Sequence, residues 1–143
     1  MTHVKNPKNS EVDAYTYIKE ELEHLGWIVK NPARVEDGEV YKQNEALANL
    51  DIKECLDRDM PEAIVKLNEC DYWVIESKRD KKEIDKALGE AKEQYAKKLN
   101  KSKKINCLIA TGIAGNDTDG FTIINQYLHN GDWETILFNG KIS

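Results

Sequence analysis

Hydrophobic positions along the chain change period several times, and each change marks an element. Residues 1–9 read as a loose polar leader. Ser10 with Asp13 three residues on then has the form of a helix N-cap and its box partner. Ala14, Ile18, Leu22 and Leu25 follow at helical spacing, which predicts a helix over Glu11–His24 closed by Gly26. Trp27-Ile28-Val29 predicts a short strand, broken by Asn31-Pro32. The stretch from Val35 to Val40 is turn-rich, and Asn44 to Cys55 reads as two short helical pieces meeting at Asn49.

The centre of the chain is Pro61 to Lys78. It predicts two short strands joined by a turn centred on Glu69, with opposed residues whose numbers sum to about 138. In that register Glu62 faces Glu76. Strand alternation puts Tyr72, Val74, Glu76 and Lys78 on one face and Trp73, Ile75 and Ser77 on the other. Like charges opposed across a sheet are destabilising, and a cation between them removes that cost.

After the hairpin, Asp80 can cap a helix with Glu83 at the box position. Ile84, Ala87, Leu88, Ala91, Tyr95 and Leu99 form its apolar stripe, so a helix is predicted over Lys82–Leu99, with Gly89 inside it. A polar connector, residues 100–104, leads to the apolar run Ile105–Thr111, read as a buried strand parallel to Tyr72–Lys78. The helix between makes a β-α-β crossover. Gly112–Gly120 reads as a loop, Phe121–Leu128 as a strand, residues 130–132 as a turn and Trp133–Phe138 as a last outer strand.

Length and composition add bounds. The 143 residues suit one domain, either a complete small protein or the N-terminal domain of a longer one. With 40% hydrophobic and 33% charged residues and no apolar run near membrane-span length, the expectation is a soluble protein with no membrane partner. No secretion signal is visible in the leader. Three cysteines (Cys55, Cys70, Cys107) in no metal-type spacing argue against disulfides and zinc, and so for a cytoplasmic location. The histidines His3, His24 and His129 are scattered and form no ligand set, and residues 116–120 form only a fragment of a calcium-type loop, so they read as a turn.

Net charge is -5, but from Lys78 to Lys104 there are eleven basic and five acidic residues, a block of +6 against -11 elsewhere. A basic patch binds phosphates even within an acidic chain. Beside it, Glu62 and Glu76 at the end of a hairpin suit a hard oxygen-loving cation such as Mg²⁺. Lys78 on the same face is placed to act on a water or on a phosphate.

An acid, then Glu-x-Lys, on a hairpin followed by a helix and a strand resembles the PD-(D/E)xK nuclease core. More narrowly, the chain is similar to the N-terminal nuclease domain of type I and related restriction-modification proteins. The likeness is carried by Ser10-Glu11-Val12-Asp13, Leu25-Gly26-Trp27, Met60-Pro61-Glu62, Tyr72 to Arg79, and Ala91 to Ala96. It implies an α/β, restriction-endonuclease-like core, a central mixed β-sheet flanked by helices, acting on double-stranded DNA with Mg²⁺ alongside other restriction-modification domains or subunits. Glu62 and Glu76 would be metal ligands, with Glu11 approaching the metal through water, and Lys78 would be catalytic. Lys78, Arg79, Lys81, Lys82, Gln94 and Tyr95 would contact DNA, although Gln94 and Tyr95 depart from the Gln-x-x-x-Tyr spacing of type I motor subunits. Glu62 also stands where Asp is usual. The alternative expectation is a non-catalytic DNA-binding or assembly domain of a restriction-modification methyltransferase.

Overall fold

The computed structural model describes the backbone of residues 7–138 and 141–142, with side chains described for residues 14–136. The first helix, α1, runs Pro7–His24, beginning before Ser10. Proline is at home in a first helical turn, where its missing N–H costs nothing. Ala14, Ile18 and Leu22 are buried as the spacing predicts, but Leu25 is 71% exposed. The reason is the helix end. Gly26 takes φ +97° and the Trp27 amide donates back to the Leu22 carbonyl at 3.0 Å, a Schellman-type closure that swings Leu25 out.

Trp27 to Val29 is extended but does not form the expected strand. Two amides reach across from the start of β1 (Val40–Lys42), Glu39 to the Ile28 carbonyl and Val40 to that of Lys30. The Ile28 amide is taken instead by the Glu39 carboxylate at 2.8 Å, so no regular ladder grows. A 3₁₀ helix (Gln43–Ala48) and α2 (Leu50–Leu56) follow, meeting at Asn49 as expected.

Asn49 ties these pieces to the sheet. Its side-chain oxygen accepts from the Ile52 amide, and its Nδ2 donates to the hydroxyls of Tyr41 and Tyr72 at 3.2 and 3.1 Å. Asn49→Ala removes a helix cap and leaves two half-buried hydroxyls short of a donor. We expect a loss of about 2 kcal/mol, read as a lower urea midpoint at unchanged slope.

The hairpin is β2 (Ala63–Lys66) and β3 (Asp71–Lys78), in the predicted register: Ala63 opposes Ile75 and Val65 opposes Trp73. Asn68 folds the turn, accepting from the amides of Cys70 and Asp71. The crossover helix is continuous over 81–99 but changes its winding. It passes from a 3₁₀ turn (Lys81–Glu83), capped by Asp80 on the Lys82 amide, through α3 (Ile84–Gly89) and a π-helical segment (Glu90–Ala96) to α4 (Lys97–Leu99).

Strand β4 (Asn106–Asn116) is parallel to β3 as expected, but longer. Residues 112–116 are not loop: they pair with β5 (Gly120–His129), leaving a turn of only three residues. Two glycines explain why a Gly-rich stretch is strand here. A Cβ on Gly112 would lie 2.5 Å from the Leu88 backbone nitrogen, so the helix settles directly on the strand; one on Gly115 would strike the Gly120 carbonyl oxygen across the hairpin. The Asn130-Gly131 turn has positive φ at both residues, as a two-residue hairpin requires. The last strand is shorter than predicted: β6 (Asp132–Thr135) ends before Ile136, and β7 (Leu137–Phe138) pairs with β8 (Lys141–Ile142) in a separate ribbon.

The protein is therefore α/β with a mixed six-stranded sheet in the order β1-β2-β3-β4-β5-β6, antiparallel except at β3–β4. Helix α1 covers one face through Ile18 and Leu22 on Val65, Ile75 and Ile113. The crossover helix and α2 cover the other through Ala91, Tyr95, Leu99 and Ile52 on Ile64, Tyr72, Val74 and Ala110. Trp73 sits on the α1 face, edge-on to Trp27, with its Nε1 donating to Thr111. Among the described residues no helix is long and apolar enough to cross a membrane.

Candidate functional site

The C-terminal end of β3 and the start of β2 bring the two predicted acids together. The Glu62 amide donates to Glu76 Oε1 at 3.2 Å, and the Ser77 amide donates to the same oxygen at 3.1 Å. Ser77 Oγ donates to Glu62 Oε1 at 3.0 Å. Ser77 was expected on the far face from the acids. Glu62 precedes the first paired residue of β2, so strand alternation does not fix its side chain, and it reaches Ser77. Both glutamates and Ser77 line a cleft of about 430 Å³, whose other walls are Tyr15 and Thr16 of α1 with Lys42 and Gln43. A smaller adjoining hollow of about 270 Å³ shares Ser77 and continues along Lys78, Arg79 and Glu83, again against α1 at Ala14.

The cleft disfavours the ionised form of Glu76. Burial pushes the Glu76 carboxyl up to about 7; the Ser77 amide and Lys78 oppose that rise, and the charges of Glu62 and Glu90 add to it. The Tyr15 phenol is likewise pushed up to about 12, by burial first and then by Glu45, Glu62 and Glu23. Lys42 lies over the Tyr15 ring at 4.7 Å.

The Lys78 side chain is about three-quarters buried, and its Nζ pairs with Glu90 Oε1 at 2.8 Å. Burial works against the ammonium, but Glu90 outweighs it and holds the amine above its ordinary value, with Glu76 and Glu83 adding. Glu90 was not singled out in the sequence. The available signal was an acid bordering the apolar stripe of Ala87, Leu88 and Ala91, on the helix that follows Glu-x-Lys.

The π winding organises the rest of that helix face. With 3.6 residues per turn Tyr95 would stand about 140° round from Glu90; roughly 4.4 residues per turn bring it to about 50°, with Gln94 on the other flank. Gln94 Nε2 donates to Asp59, and the Tyr95 hydroxyl donates to Asp59 at 3.2 Å. Burial, then the charges of Glu76 and Asp59, push the Tyr95 phenol far up. Tyr95 is 3% exposed, so it does not present a ring or hydroxyl to DNA as the resemblance implied; Gln94 is likewise engaged with Asp59. Tyr95 braces the segment from inside, and Gln94, half-buried, from its edge.

Arg79, Lys81 and Lys82 are exposed beside the cleft. The Arg79 carbonyl accepts from Asn116, and Lys81 Nζ reaches the Asp119 carbonyl at 3.4 Å. The basic block is not one patch. Lys98, Lys101, Lys103 and Lys104 surround a separate hollow with Cys55 and Ser102, beside the start of β4. Because β3 and β4 are parallel, that is the opposite end of the sheet from Glu76. Lys86 and Lys97 pair with Glu83 and Glu93.

Glu11 lies in α1, but its side chain is outside the described residues, as is His3. Among the described side chains no group of three or more acids, histidines or cysteines forms a cage for an ion. The oxygen donors available are the Glu62 and Glu76 carboxylates, which line one open, polar cleft. That fits Mg²⁺, which keeps several waters and takes one or two carboxylates, and does not fit a cation that needs a full protein shell. The sequence matches no protein-family model, no curated protein and no solved structure.

Proposed function

We propose that this chain is a Mg²⁺-dependent endonuclease domain of a restriction-modification system, with a restriction-endonuclease-like core, acting on double-stranded DNA in the cytoplasm. The observation that carries the reading is that Glu62 and Glu76 line one cleft, with Lys78 in the hollow adjoining it. Glu62 and Glu76 would hold the metal, which would supply an acidified water and polarise a phosphodiester. The two amides on Glu76 Oε1 fix one oxygen and so orient the carboxylate toward the cleft. Ser77 fixes Glu62 in the same way. Lys78 stands at the cleft edge to stabilise charge developing on the phosphate. Arg79, Lys81 and Lys82 supply backbone phosphate contacts, which position DNA without reading its sequence. Sequence choice then comes from other domains or subunits.

One observation favours a second reading, a non-catalytic DNA-binding or assembly domain: the Lys78 ammonium already has a carboxylate partner. Plasmid nicking separates the two. The wild-type chain should nick supercoiled DNA with Mg²⁺ or Mn²⁺ and not with EDTA, and Glu76→Ala and Lys78→Ala should each lower the rate at least 100-fold. Metal-dependent cutting that survives both substitutions rules the proposed site out. DNA retention without cutting by any of the three proteins favours the second reading.

A further inference from the structure

We propose that Glu90 is the positioning residue for Lys78: the π-helical segment delivers its carboxylate to the lysine and holds the ammonium at the edge of the carboxylate cleft. The inference rests on the nuclease reading for the use made of Lys78, but not for the contact itself.

A lysine at the end of a strand has four rotatable carbons and no preferred resting place. Lys78 lies two residues beyond Glu76 on the same strand face, so its ammonium can reach back to the cleft or out to solvent. Glu90 decides between them. The pair is 2.8 Å apart, and both side chains are about three-quarters buried, at 25% and 23% exposure. A charge-assisted bond in that setting is short and directional, unlike a surface pair.

The support behind Glu90 is itself fixed. Glu90 opens the π segment, and four and five residues on, Gln94 and Tyr95 both grip Asp59, the residue just before Met60-Pro61-Glu62. The segment is thus tied at one end to the strand bearing Glu76 and Lys78, and at the other to the approach to Glu62. Local π winding inside a longer helix is a recurrent device at functional sites, because it re-aims side chains that α winding would spread apart. Here it puts Glu90, Gln94 and Tyr95 on one side. Gly112 lets the helix sit directly on β4 opposite Glu76, which brings Glu90 within reach of β3.

The contact can be tested without metal or DNA. In the wild-type chain at pH 8, acylation of Lys78 by a succinimidyl ester, followed by peptide mass mapping, should be slow relative to exposed Lys53 on α2. Glu90→Gln should raise Lys78 labelling at least fivefold and leave Lys53 unchanged. Glu90→Asp, which draws the carboxylate back by one methylene, should fall between. Labelling of Lys78 in Glu90→Gln equal to that in the wild type overturns the proposal. Should Glu90→Gln fail to fold, Glu90→Asp alone decides, and a rate equal to the wild type is again the overturning result. The nicking assay reads the consequence: Glu90→Gln should lower kcat about tenfold with KM within twofold, and Glu90→Asp should recover part of it. Faster Lys78 labelling with no cutting by any protein, the wild type included, upholds the Glu90 contact and counts against the nuclease reading. An unchanged kcat in a protein whose Lys78 has become reactive overturns the positioning role.

Discussion

Glu76→Gln should make the metal-free protein more stable at pH 8 by about 3 kcal/mol, while abolishing metal-dependent cutting. The Glu76 carboxyl binds its proton more tightly in the folded chain, where its pKa is about 7, than at its ordinary value of 4.5. Below 4.5 both states hold the proton and Glu76 costs nothing. Between 4.5 and 7 the unfolded chain ionises first, so stability falls as pH rises. Above 7 the folded chain carries the whole cost of the difference, about 1.4 kcal/mol per pKa unit. Glutamine keeps an oxygen to accept from the Glu62 and Ser77 amides but cannot ionise, so it escapes that cost. The gain should be near zero at pH 4, grow through pH 5 to 7 and level off above. On heating at pH 8 it corresponds to roughly 10 °C in Tm. Added Mg²⁺ should narrow the gap, because it stabilises the wild type and has little to bind in the variant. A variant no more stable than the wild type at pH 8 would mean that Glu76 is comfortably solvated, and the case for a cation at this place would fall with it. A site residue whose removal stabilises the fold is the usual sign that stability has been given up for function.

Gly112→Ala should have the largest opposite effect, a loss of about 3 kcal/mol or more. The added Cβ would stand 2.5 Å from the Leu88 nitrogen and 2.7 Å from its Cα. These are backbone atoms of a helix packed by Ala87, Leu88 and Ala91, and no side chain can turn aside to make room. The helix must lift from β4, in the stretch where Gly112 is the register partner of Glu76. Chemical denaturation gives the stability. Lys78 labelling gives the local consequence, since lifting the helix should also draw Glu90 away. Gly89, in the same helix, makes a control: nothing lies within 4 Å of its would-be Cβ, and alanine there should be neutral or mildly stabilising.

Much of this was legible in the sequence because it depends on local rules. Strand alternation and a single turn set the hairpin register, so the pairing of Ala63 with Ile75 and of Val65 with Trp73 could be read from residue numbers alone. The apolar stripe from Ile84 to Leu99 gave the crossover helix, and a buried run after it gave the parallel strand. The failures have a common cause in contacts made from a distance. Gly112 and Gly115 look like loop residues until a helix and a hairpin partner are laid against them. Trp27 to Val29 looks like a strand until the Glu39 carboxylate takes an amide from it. Periodicity counts residues at a constant turn, so it does not register a helix that changes its winding and gathers Glu90, Gln94 and Tyr95 on one side. The run of lysines read as one patch because sequence adjacency hides the length of the helix that separates its two ends.

The single parallel pairing has a consequence for how the molecule assembles. The β2–β3, β4–β5 and β5–β6 ribbons each close over a few residues and can form early, on the microsecond scale of isolated hairpins. Strands β3 and β4 cannot meet until the whole intervening helix has crossed and docked, which makes that closure the entropically expensive event. On this order the hairpin carrying Glu76, with Glu62 at its start, closes while it is still open to water and counter-ions. Docking of the crossover helix brings Tyr95 beside Glu76 and, in the same event, Glu90 to Lys78. The strand that carries Glu76 and the brace on Lys78 thus belong to different steps of assembly, one local and one long-range.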